Sequence, residues 1–218
     1  MTFIIPMSAH IETIDLSKAL RHLRKDARFA PYIQKLAKPV IERRTSHGKA
    51  ADAFYALTES IVYQQLSGKA AGTIYGRFLT LFPKKKPTPK ALLKLTDEAI
   101  RATGISSQKL SYLRDLAQKF VDKTINEKGL EVWSDDEIRA HLVMIKGIGR
   151  WTADMFLIFY LNRSDVLPTG DLGIQKGFMK LFNMKKMPTP ERMEKLARAW
   201  SPHRTVASRY LWMIQDNS

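Results

Sequence analysis

Two helical patterns meet at Gly147-Ile148-Gly149, and no other stretch constrains the fold of the chain as much. Ser134-Asp135-Asp136-Glu137 has the form of a capping box, with Ser at the N-cap and Glu three residues on. It opens a helix whose Ile138, Leu142 and Ile145 share one face. Beyond the turn, Trp151, Met155, Phe156, Ile158 and Phe159 predict a second, largely buried helix. A residue without Cβ takes positive φ at little cost and lets another group come close to the backbone. Gly147 and Gly149 therefore account for a sharp turn whose N–H groups face outward. Beside the N-terminus of the following helix those donors form an anion site that reads charge rather than shape. An ordinary tight helix–helix turn is the competing reading of a bare Gly-x-Gly.

Charge supplies the context. The chain has 36 Lys and Arg against 21 Asp and Glu, a formal net charge of +15, which favours a polyanionic partner and nucleic acid above all. An anionic membrane is the other candidate, but no segment offers roughly 18 uninterrupted apolar residues, and Met1 to Pro6 is too short for a signal peptide. A soluble, intracellular protein without membrane contact is the expectation. The absence of cysteine excludes disulfides, thiolate zinc sites and cysteine-ligated iron–sulfur clusters. His10, His22, His47, His141 and His203 stand apart from carboxylates at ligand spacing, and no Gly-Lys-Ser/Thr phosphate loop occurs.

A chain of 218 residues with 44% hydrophobic content can bury a sizeable core without oligomerising. Helical periodicity dominates, and no strand pattern competes with it. Ser67 is read as the cap of a helix to about Leu81, Thr96 as the cap before Asp97-Glu98, and Ser107 as the cap of a helix to about Asp122. In Lys84-Lys85-Lys86-Pro87-Thr88-Pro89 and Lys185-Lys186-Met187-Pro188-Thr189-Pro190, Thr takes the N-cap and the second Pro the first helical position. The fold class is all-α. Residues 50–163 are expected to form one helical lobe and residues 1–49 with 164–218 a second lobe packed against it, with a cleft between them.

Three separated segments carry a resemblance. Ile148-Gly149-Arg150-Trp151-Thr152-Ala153, followed by Asp171, is similar to the helix-hairpin-helix DNA glycosylases, specifically the 3-methyladenine DNA glycosylase II family. Ser60-Ile61-Val62-Tyr63-Gln64-Gln65-Leu66-Ser67-Gly68-Lys69-Ala70-Ala71 resembles that family's Gln-Gln-x-Ser-x-Lys-Ala-Ala segment, and Trp200-Ser201-Pro202-His203-Arg204 resembles a third. The resemblance implies a two-lobed glycosylase with its pocket between the lobes, in a minimal form without the N-terminal β domain that some members carry.

It also implies roles. Asp171 would stabilise the oxocarbenium-like charge that builds on the sugar and orient or deprotonate the attacking water. A plain N-cap is its competing reading, and Asp154 and Asp165 are rival carboxylates. Trp151 stands where lyase-type relatives carry a Schiff-base lysine, so hydrolysis without lyase chemistry is implied, with the indole as pocket wall for a cationic base. Core packing is the alternative for that tryptophan. Met155, Leu172 and His203 complete the base pocket at positions often aromatic in the family. Leu66 would be the wedge filling the gap left by an extruded nucleotide, flanked by Gln64 and Gln65, although spacing alone reads Leu66 as core. Gly147, Gly149, Arg150, Thr152, Lys69, Lys146 and Arg77 are the implied phosphate contacts. Main-chain carbonyls of Val143, Ile145 and Ile148 are implied to hold a sodium or potassium ion. No redox or nucleotide cofactor is expected.

Two function classes stay open on these residues. One is hydrolytic excision of alkylated purines from duplex DNA, the first step of base excision repair, by a monomer that hands its abasic product to downstream repair factors. The other is a homologue with little or no excision activity that binds abasic or distorted DNA. Access to DNA implies a nucleus or a bacterial or archaeal cytoplasm.

Overall fold

The structure, a computed structural model, describes residues 14–41 and 52–216. Met1 to Pro6, His10 and His47 lie outside the described residues. Two helices come first, α1 (Leu16–Leu23) and α2 (Phe29–Lys35). Eight follow: α3 (Ala53–Tyr63), α4 (Gly68–Leu79), α5 (Pro89–Lys94), α6 (Asp97–Ala102), α7 (Ser107–Val121), α8 (Glu127–Val132), α9 (Asp135–Leu142) and α10 (Arg150–Met155). The last three are α11 (Leu172–Leu181), α12 (Pro190–Ala197) and α13 (Arg204–Asp216). No strand occurs among the described residues, so the fold is all-α as expected. Nor is any helix among them long and apolar enough to cross a membrane.

Local capping chemistry sets most of the starts. Ser67, Thr88, Thr96 and Thr189 each accept the N–H three residues on, and Ser134 with Glu137 closes the full capping box. One start is displaced. Ser106, not Ser107, caps α7, accepting the Lys109 N–H at 3.3 Å. Ile105 and Leu110, on either side of that cap, are both buried, a hydrophobic-staple pattern that selects Ser106 from two adjacent serines.

The described residues form two compact units, residues 52–156 and residues 14–41 with 157–216. In the first, α7 packs on α3, α5 and α6, and α3 packs on α4. Phe54, Leu57, Ile61, Phe78, Leu92, Ile100, Leu113 and Leu116 fill its core. Each such side chain contributes roughly 1.5–3 kcal/mol by burial, which outweighs the weak propensity of the short helices α5 and α6. In the second unit, α11 lies along α13, and α1 and α2 pack on α13 as well. Phe29, Phe178, Trp200 and Tyr210 dominate its core, with Phe29 edge-on to Trp200 at 4.8 Å.

The helix after the glycine turn differs from expectation. It ends at Met155 and continues as a π-helical turn over Phe156–Tyr160. Phe156 and Ile158 are buried there, but Trp151 is 49% exposed and is not a core residue. The chain passes into the second unit at Leu157, within that turn, whereas the sequence reading set the division after 163.

Candidate nucleic-acid interface and carboxylate site

In the first unit α9 and α10 form a hairpin around Gly147-Ile148-Gly149. Gly147 has φ +79°, and a Cβ built on it would fall within the Tyr112 ring, so only glycine fits. Gly149 is different. Its φ of −95° is ordinary and the space around its missing Cβ is open, so no backbone constraint demands glycine there. It is the N-cap of α10 and supplies no side chain to cap that helix, whose first N–H groups lack intrahelical partners. Lys146 and Arg150 are exposed on either side of the turn, as are Lys69 and Arg77 on α4. Thr152, expected among the phosphate contacts, is instead 6% exposed.

A buried ion pair ties the two hairpin helices together. Arg139 Nε on α9 donates to Asp154 Oδ1 on α10 at 2.7 Å, and a second guanidinium nitrogen reaches Asp136 at 2.8 Å. Burial pushes the Asp154 carboxyl up against the opposing pull of Arg139, while Arg139, itself desolvated, is held more firmly protonated by the carboxylate. Asp154 is thereby committed to structure.

The Gln64-Gln65-Leu66 loop joins α3 to α4 in the same unit. Leu66 is 39% exposed and so is not the core residue its spacing allowed. Gln65 takes φ +56°, an uncommon conformation for a residue with a Cβ. Gln64 Nε2 donates to the Gly147 carbonyl at 2.8 Å, placing the loop beside the hairpin turn. Sequence periodicity gave no sign of this contact.

Asp171 belongs to the second unit, where it is the N-cap of α11. Its Oδ1 accepts two neutral donors, the Ile174 N–H and the Trp212 indole N–H, each at 2.8 Å. The bare Cα of Gly173 makes room for that indole, since a Cβ there would lie 2.8 Å from Trp212. Trp212 stacks on Phe159 at 5.8 Å, and the Arg209 guanidinium lies over Phe159 at 4.8 Å. Sequence reasoning missed Trp212 because a tryptophan on an apolar terminal helix carries no mark separating an oriented donor from core. The rival Asp165 is locked by Arg204 Nε and a further guanidinium nitrogen, both at 2.8 Å, by the Ser201 hydroxyl at 2.8 Å and by the Arg204 N–H. Burial alone would raise the Asp165 carboxyl, but these donors together hold it below the usual carboxylate range.

The four anticipated pocket residues divide between the units: Trp151 and part-buried Met155 in the first, exposed Leu172 and buried His203 in the second. His203 meets His22 edge-on at 5.3 Å, its Nδ1 has no hydrogen-bond partner, and His22 is itself held by the Ala199 carbonyl. Burial, followed by the charges of His22 and Lys18, lowers the His203 pKa, with Asp165 and Asp15 opposing. A folded-state pKa below the ordinary histidine value means that the unfolded chain binds this proton more readily. The associated stability is present above about pH 6.5 and declines as pH falls through the depressed folded value. Thermal melts between pH 7.5 and 5 are expected to show an acid loss that His203→Gln reduces; an unchanged loss would assign it to other groups.

No cluster of three or more His, Cys, Asp or Glu suited to a metal ion occurs among the described residues. The hairpin turn does carry main-chain oxygens. Ile145 O accepts the Ile148 N–H at 3.0 Å, and Gly147 O is taken by Gln64.

Residues 58–203 match the HhH-GPD superfamily base excision DNA repair protein family, and the chain belongs to that family. It is 37% identical over 163 residues to DNA-3-methyladenine glycosylase 1 of Schizosaccharomyces pombe, covering 74% of this chain and 72% of the relative. It is 29% identical over 204 residues to the alkylbase DNA glycosidase-like protein mag2 of the same yeast, covering 92% and 94% of the two chains. Among solved structures, a DNA-3-methyladenine glycosidase from Bacillus halodurans aligns with a TM-score of 0.82 at 33% identity, covering 92% of this chain and 89% of that one. The S. pombe 3-methyladenine DNA glycosylase in complex with abasic DNA aligns with a TM-score of 0.75 at 33% identity, covering 89% and 95%.

Proposed function

We propose that this chain hydrolyses the N-glycosidic bond of alkylated purines of the 3-methyladenine type in duplex DNA, leaving an abasic site. The observation that carries the reading is Asp171, a carboxylate on the family's expected residue, oriented by Trp212 and Ile174 on one oxygen. As the C1′–N bond breaks, its electron pair leaves with the base and positive charge develops on the sugar. The Asp171 carboxylate stabilises that charge and takes or orients a proton of the water that attacks C1′. No amine stands at position 151 to form a Schiff base, so water is the nucleophile.

Base recognition follows from charge. An alkylated purine is cationic, and the half-exposed indole of Trp151 offers a cation–π face. His203, with its pKa depressed, stays neutral near pH 7 and does not repel such a base. Met155 and Leu172 add apolar contact. Leu66 serves as the wedge between Gln64 and Gln65, and Gly147, Gly149, Arg150, Lys146 and Lys69 meet phosphates. The Val143, Ile145 and Ile148 carbonyls are neutral, hard oxygen donors that suit a sodium or potassium ion, which would screen a neighbouring phosphate. The protein acts as a monomer on damaged duplex DNA, in a nucleus or a bacterial or archaeal cytoplasm, and passes its abasic product to downstream repair factors.

The reduced aromatic lining at Met155, Leu172 and His203, none of which is Phe, Tyr or Trp, favours a second reading, a homologue that binds abasic or distorted DNA without excision. One assay separates the two. Purified protein is incubated with duplexes containing methylated adenine or hypoxanthine, and free-base release is measured beside affinity for an abasic duplex. Release of the methylated base supports the enzyme; tight abasic binding with no release from any lesion selects the binder.

A further inference from the structure

One face of α7 touches both elements assigned above to DNA contact, and every residue involved lies within the unit of residues 52–156. Lys109 Nζ donates to the Val62 carbonyl at 2.6 Å and the Gln64 carbonyl at 2.7 Å, at the end of α3 and the start of the wedge loop. Three residues on, Tyr112 occupies the space beside the Cα of Gly147, and Gln108 fixes its hydroxyl at 2.6 Å. Three residues further, Asp115 Oδ2 accepts the Lys146 N–H at 2.8 Å. Positions 109, 112 and 115 follow helical i, i+3 spacing and therefore line one side of α7. The direct bond from Gln64 Nε2 to Gly147 O closes the circuit from the far side.

We propose that Lys109 is a positioning residue: through α7 it fixes the spacing between the wedge loop and the hairpin turn, so that Leu66 enters the base stack in register with the phosphate held by the turn. The chemistry of the contact suits that task. The last carbonyls of a helix have no intrahelical partners, and the helix dipole favours a cation beside them. An ammonium with several donors ties two of these carbonyls at once and holds the loop in the shape that includes the uncommon backbone of Gln65. Burial lowers the Lys109 pKa, which marks a part-buried amine rather than a fully solvated one, and its two carbonyl bonds oppose that cost. The inference rests on the reading of Leu66 as the wedge.

The test measures Kd for a duplex carrying a tetrahydrofuran abasic analogue and for the matching intact duplex, at fixed salt, with wild type, Lys109→Met, Leu66→Ala and the double variant. Lys109→Met is expected to weaken abasic binding by about ten- to hundredfold, the scale on which small misplacements act, and to change intact-duplex binding far less. The double variant is expected to bind the abasic duplex no more weakly than Leu66→Ala alone, because Lys109 acts through the wedge. Additive losses, or equal losses on both duplexes, would overturn the role given to Lys109. A wild-type protein without preference for the abasic duplex, or a Leu66→Ala variant that keeps the full preference, would sink the wedge reading instead. Should Lys109→Met melt too low to assay, Lys109→Gln, whose amide still reaches one carbonyl, allows the same comparison with a smaller expected loss.

Discussion

Asp171→Asn is expected to reduce single-turnover release of a methylated purine by roughly 10²–10³-fold, the scale of losing one preorganised electrostatic group, while abasic-duplex affinity and melting temperature stay close to wild type. The substitution is clean because Asn serves as an N-cap as well as Asp does, and its Oδ1 still accepts the Ile174 and Trp212 donors. What disappears is the negative charge that the proposed mechanism sets against the developing oxocarbenium. Trp212→Phe provides the matched control. It keeps a ring against Phe159 but removes the N–H, so the carboxylate retains its charge and loses one of the two donors that orient it. A fall of about tenfold in release, with binding unchanged, is the expected result for that variant. Asp171→Asn protein that excises at the wild-type rate would remove Asp171 from the chemistry and reopen the search for the carboxylate.

Features set by neighbours in sequence were legible in the sequence, and features set by approach across the unit were not. Ser134, Thr88 and Thr189 could be assigned because a cap and the N–H it accepts lie within one turn. The sequence places the cap of α7 at Ser107 and the structure places it at Ser106, because the deciding information is burial of Ile105, which a pair of adjacent serines does not reveal. The sequence credits both glycines of the turn with positive φ, yet of the two only Gly147 has it; Gly149 takes the ordinary backbone of an N-cap, and the Tyr112 ring that excludes a Cβ at Gly147 comes from α7. Leu66 illustrates the limit of periodicity. Its spacing from Ile61 fits a core residue, and only the Gln-Gln resemblance pointed outward, where the structure finds it. Lys109, Tyr112 and Trp212 had no local signature at all, because each is defined by a partner at least 35 positions away in the chain.

The other large effect belongs to the hairpin. Asp154→Ala is expected to cost about 3–5 kcal/mol, the usual penalty for removing one partner of a buried ion pair. Arg139 would keep Asp136, whose side chain is 91% exposed and therefore a weak partner, and the charge of Asp135, while its own side chain remains 15% exposed. The guanidinium is thus left largely desolvated at the seam between α9 and α10. Urea melts should place the loss on the transition of residues 52–156, and DNA affinity should fall for intact as well as abasic duplexes, because the hairpin turn is proposed to meet phosphates. Release at saturating protein should be far less affected, which distinguishes this variant from Asp171→Asn. The double replacement Arg139→Met with Asp154→Leu supplies the decisive contrast. Burial already raises the Asp154 carboxyl against the pull of its partner, so the pair's attraction is spent largely on desolvation. An apolar pair of similar volume is therefore expected to recover most of the lost stability. If the double variant were as unstable as Asp154→Ala, the seam would need the hydrogen-bond geometry itself, and the pair would set the angle of the hairpin rather than merely fill it.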